Sequence, residues 1–123
     1  MRSVLLMAAL WLTGAVAAYG QDAVKVDPKH YKVEFENEQV RVLRISYGPG
    51  EKSVMHEHPG NVAVFLTDGQ AQFTLPDGKS QEVPLKAGTT RWGAGEKHLP
   101  ANIGDKPFEL ILVELKSKAA PAH

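Results

Sequence analysis

Two residues of this chain have the type and spacing to share a metal ion, His56 and His58, and His98, some forty residues later, offers a third imidazole. Side chains on a β-strand alternate between faces, so His56 and His58 point the same way, with Cα atoms about 6.5 Å apart. Two imidazoles placed so can turn onto one cation at about 2.0–2.1 Å. Glu57, between them, faces away and is a poor ligand. Imidazole suits zinc, iron, copper or nickel. The chain has no cysteine, which excludes both disulfides and thiolate ligands and leaves histidine, carboxylate and carbonyl groups as donors.

The elements needed to position these histidines are strands. Tyr31 to Glu36 alternates apolar and polar residues, and Gln39 to Tyr47 is rich in β-branched residues, so the two predict a hairpin. Gly48-Pro49-Gly50 breaks the chain before a short strand, Val54 to His58, and Pro59-Gly60 ends it. Val62 to Leu66 is apolar on both faces and predicts a deep strand. Ala71 to Leu75 and Gln81 to Leu85 flank Pro76-Asp77-Gly78-Lys79, a strong hairpin turn, and Pro84 marks the second strand as an edge. Thr89 to Trp92 is a short strand, Gly93 to Glu96 a loop carrying the chain to His98, Asn102 to Pro107 a turn, and Phe108 to Leu115 the strongest strand. About eight short strands with turn signals every 8–12 residues, and no sustained helical repeat, predict a closed or sandwiched all-β domain.

At 123 residues with 14 basic and 14 acidic side chains, the chain supports one domain and no nucleic-acid surface. Residues 1–20 read as a signal peptide: Arg2, an apolar run from Val4 to Leu12, then Ala18-Tyr19-Gly20, with cleavage before Gln21 or after Ala18. The expected organisation is signal peptide 1–20, flexible leader 21–30, β-barrel 31–115 and polar tail 116–123, in a periplasmic or secreted protein.

From about Lys32 to Leu115 the chain resembles the small single-domain cupins. Gly50 is followed by five residues and His56-Glu57-His58, and Gly69 stands where the first cupin motif closes. Gly88, Gly93-Ala94-Gly95, His98 and Asn102 follow the second motif. Phe35-Glu36-Asn37 to Pro49-Gly50-Glu51 is similar to the opening hairpin of such proteins. Two departures stand out. The glutamate of the first motif falls at Val62 or Ala63, and Gly93 replaces a proline.

The resemblance implies a double-stranded β-helix, the cupin jelly roll. It implies a divalent transition metal on His56, His58 and His98 without a fourth carboxylate, which leaves two or three coordination positions open. Such a site suits iron in oxygen chemistry, as in cupin-like thiol dioxygenases, or zinc with a bound water. The missing glutamate equally permits a weak, non-catalytic site. The implied partners are a small-molecule ligand or substrate and a second copy in a homodimer. Among other residues, Trp92 is expected in the core, and Arg41, Arg44 and Arg91 on solvated or salt-bridged strand faces. Gln70, Gln72 and Thr74 are expected on a wet face, Asn102 capping a turn, Glu96 and Lys97 as loop charges, His30 outside the barrel and His123 in the tail.

Overall fold

The computed structural model describes residues 21–116, so the signal-peptide reading, His123 and all of the tail but Lys116 lie outside the described residues. One helical turn, α1 (Ala23–Val26), precedes nine strands: β1 (Tyr31–Glu36), β2 (Val40–Tyr47), β3 (His56–His58), β4 (Asn61–Phe65), β5 (Gly69–Thr74), β6 (Ser80–Leu85), β7 (Thr90–Gly93), β8 (Glu96–Asn102) and β9 (Phe108–Leu115). They form two antiparallel sheets, ordered β1-β2-β9-β4-β7 and β3-β8-β5-β6. Neighbours distant in sequence pair in both, and the fold is the all-β double-stranded β-helix.

Alternation explains the burial. On β2, Leu43, Ile45 and Tyr47 point inward and pair with Leu112, Leu110 and Phe108 of β9. Ala63 and Phe65 of β4 extend this face, and Ala71, Val83 and Leu85 come from the other sheet. The expected hairpins form, β6 is an edge strand, and β9 lies between β2 and β4. In the β5–β6 turn, Gly78 adopts φ +89°, where side chains are strained. Gly69 is required for a different reason: a Cβ there would meet Phe108 Cβ at 2.9 Å.

Four expectations are corrected. His98 is not carried by a loop; it lies within β8, which the glycines before it and Pro100 inside it conceal. Backbone N and C=O of one strand residue point to the same neighbour. The Pro100 carbonyl accepts from Ser53 N–H, so its missing donor faces chain beyond the end of β3 and costs the ladder little. Trp92 is not in the core but 60% exposed, because its register on the short edge strand β7 puts it with Val62 and Val113 on the outer face. His30 is not outside the packed structure: it is buried and stacks on Tyr47 at 4.2 Å between centroids. With it, the segment 21–30, expected as a flexible leader, packs against the barrel, with Ala23 fully buried.

Candidate metal centre

Strands β3 and β8 place the three histidines. His56 lies directly opposite His98 in the register, and His58 one inward step along β3. All three are buried, His56 completely. Their ring centroids are 4.8 Å (His56–His58), 5.0 Å (His56–His98) and 5.3 Å (His58–His98) apart. One potential donor nitrogen from each lies within 4.8 Å of the others, so the cluster could hold a metal ion. Glu57 is exposed on the opposite face, as its position between them predicts.

The hydrogen bonds assign the tautomers. His56 Nδ1–H donates to the Val54 carbonyl at 2.9 Å, with Ser53 Oγ at 3.2 Å. His58 Nδ1–H donates to Glu114 Oε2 at 2.7 Å, and His98 Nδ1–H to Glu96 Oε2 at 3.1 Å. Each ring therefore spends its Nδ1 proton on an outer acceptor, and in the neutral form of His56 and His98 that leaves a lone pair at Nε2. The Nε2 atoms of His56 and His98 are buried with no hydrogen-bond partner, a costly arrangement for a polar atom unless something occupies it. An imidazole anchored through one nitrogen with the other free is the usual state of a metal-ligating histidine.

Burial favours the neutral ring at both positions. It lowers the His56 value from 6.5 to about 4 and the His98 value to about 3. Neutral imidazoles are the form a cation needs.

Between the sheets lies a cavity of about 100 Å³. Apolar groups such as Phe65, Phe73, Leu110 and Leu112 line most of it, His58 and His98 face it, and Arg91, Trp92 and Glu96 border it. The tyrosine hydroxyls of Tyr31 and Tyr47 are bonded to each other at 2.6 Å. Burial raises both phenols far above their ordinary range.

Arg41 pairs with Glu114 and Asp22, and Arg44 with Glu34 and Glu109, as salt-bridged strand residues. Asn102 caps its turn: its amide donates to the Tyr47 and Lys106 carbonyls and its Oδ1 accepts from Gly104 N–H. Gln70 is exposed and Gln72 and Thr74 are partly so. Lys97 is partly buried, and Glu96 is an exposed charge that also orients His98. Sequence reasoning passed over Glu114, Asp27 and Ser53. Glu114 had a readable signal: it shares inward parity with Phe108, Leu110 and Leu112, so a charge sits on the apolar face of the strongest strand. Asp27 and Ser53 carry no such mark.

The position of the family glutamate is filled by Val62 and Ala63, strand residues facing Trp92 and Arg91 across the ladder, and offers no donor. Residues 43–114 match the family described as "Cupin domain". A crystal structure of a cupin domain from Bordetella pertussis Tohama I is similar, at 28% identity and TM-score 0.66 over 71% of this chain and 92% of that one. An uncharacterised conserved protein with a double-stranded β-helix domain from Klebsiella pneumoniae shares 24% identity and TM-score 0.55 over 72% and 84% of the two chains. An RmlC-like cupin family protein from Methanocaldococcus jannaschii shares 22% and 0.54 over 72% and 83%. The last two comparisons bear on the fold alone. No curated protein matches the chain.

Proposed function

The chain belongs to the cupin domain family, and from that premise we propose that it is an exported metalloprotein acting on a small molecule. His56, His58 and His98 hold a divalent transition metal through Nε2. The observation carrying this is the pair of buried, unpartnered Nε2 atoms in a cluster whose Nδ1 atoms are all engaged outward. A bound metal would supply Lewis acidity, and with iron, copper or manganese also redox chemistry, at positions the imidazoles leave free. The remaining work belongs to the chain. Phe65, Phe73 and Leu112 exclude water and admit an apolar body small enough for about 100 Å³, while Arg91 at the rim can meet an anionic group.

A non-catalytic binding module is the second reading. It is favoured by Val62 and Ala63 in place of the motif carboxylate, and by the tyrosine hydroxyls satisfying each other rather than facing a substrate. The two separate on turnover: oxygen consumption or hydrolysis lost in His98→Ala supports the enzyme, and metal binding without either supports the module. The apolar run at residues 4–12 supports export. Val33 and Phe35, exposed on edge strand β1, support a homodimer, which sedimentation across a dilution series would check. Metal content of protein isolated from its own compartment tests the central reading. Near one transition metal per chain is expected, and none, with no uptake at micromolar metal, would contradict it.

A further inference from the structure

The segment 21–30 precedes the 43–114 family match, yet it reaches Glu57 of β3 and Ser53 just before that strand. The Gln21 carbonyl accepts from Glu57 N–H at 2.9 Å, and Asp22 bridges in parallel to Glu57, the residue between the two paired histidines. Asp22 also binds Arg41 through both carboxylate oxygens, at 2.5 and 3.2 Å. Arg41 Nε donates at 2.8 Å to Glu114 Oε1, and the other oxygen of Glu114 accepts from His58 Nδ1 at 2.7 Å. On the other side of β3, Asp27 Oδ2 accepts from Ser53 Oγ at 2.5 Å, and Ser53 Oγ faces His56 Nδ1 at 3.2 Å.

Both members of the histidine pair are thus reached by a hydrogen-bonded chain that begins at an aspartate of the same ten residues. The chains are sheltered: the side chains of Asp22, Arg41 and Glu114 are 19%, 17% and 3% exposed. The second chain has an outer anchor too. His30 meets Asp27 Oδ2 at 2.7 Å through Nδ1 and Glu51 Oε1 at 3.0 Å through Nε2. Burial pushes the Asp27 carboxyl up, but the bonds from Ser53 and His30 outweigh it and hold it below its ordinary value, so it stays an acceptor. The Val54 carbonyl alone already satisfies His56 Nδ1. Two converging carboxylate chains do something more: they fix ring orientation and raise the basicity of the nitrogens opposite.

We propose that the N-terminal segment is a clamp on the metal centre, in which Asp22, through Arg41 and Glu114, and Asp27, through Ser53, are positioning residues for His58 and His56. The inference rests on the metal reading above. It assigns to residues outside the family match a share of the metal affinity.

Cobalt(II) titration of the full chain, followed by visible absorption, tests it. Asp22→Asn and Asp27→Asn are each expected to weaken cobalt binding about ten- to a hundredfold and to alter the absorption band. Lys25→Ala, exposed on the same segment, should change neither. In a Glu114→Gln background the Asp22→Asn effect should largely vanish, because that chain is already cut; a merely structural role would add to it. Ser53→Ala cuts the second chain without stranding a charge, and gives the same readout should Asp27→Asn not fold. Cobalt affinity and spectrum unchanged in folded Asp22→Asn and in folded Asp27→Asn or Ser53→Ala would overturn the clamp while leaving the metal site standing. No cobalt binding by the unaltered chain would overturn both.

Discussion

Glu114 shows what one residue can do in this molecule. Its side chain is 3% exposed, and its carboxylate orients His58 with one oxygen and neutralises Arg41 with the other. Removing one partner of a buried ion pair strands the other, which costs about 3–5 kcal/mol. Glu114→Ala is therefore expected to lower stability by roughly that amount and to weaken metal binding, measured by urea unfolding and metal titration. Arg41 retains Asp22, so the lower end is expected. The histidines set a pH dependence of their own. Unfolded, they titrate near 6.5; folded, His56 and His98 resist protonation down to about 4 and about 3. Between those limits the unfolded chain binds more protons, so the metal-free protein should lose stability as pH falls from about 6.5 toward 4, and show no such loss above pH 7. Urea midpoints across that range would show it. The three histidines were legible because the spacing of two and the motif order of the third survive in the sequence. Their outer partners were not, apart from Glu114, because a hydrogen bond between Asp27 and Ser53, remote in sequence, leaves no periodic trace.

At the scale of elements, every strand but β8 was readable in the sequence. β1, β2, β5, β6 and β9 lie where apolar and polar residues interchange. β8 was missed because Gly93 to Gly95 and Pro100 read as loop, although tertiary pairing with β3 and β5 overrides them. The segment 21–30 was read as loose because it is polar and contains Pro28, and its burial of Ala23 and His30 comes from packing that composition does not record. β9 organises the larger sheet, with Leu112 facing Leu43 on one side and Ala63 on the other. Leu112→Ala should cost about 2–5 kcal/mol through lost burial and a residual cavity. The same substitution at exposed Leu66 should change stability by no more than about 0.5 kcal/mol. Thermal or urea unfolding of the two variants would check the contrast.

The whole molecule is a rolled sheet closed around a small apolar space with a cluster of histidines on one wall. Turn spacing made the closure legible, and motif spacing the family. The size of the cavity and its few free polar groups were not, since they depend on how two sheets meet. If the folded cluster binds metal and the unfolded chain does not, metal stabilises the fold by mass action, about 2.7 kcal/mol at a hundredfold excess over Kd. The melting temperature should rise with zinc or cobalt, fall back on chelation, and stay insensitive to metal in His56→Ala. Diffraction from a crystal of the protein grown with cobalt(II) or zinc, collected at the absorption edge of that metal, addresses the central claim most directly. One anomalous peak per chain is expected, bonded to the Nε2 atoms of His56, His58 and His98. No peak there, or a peak held only by surface side chains, would contradict it.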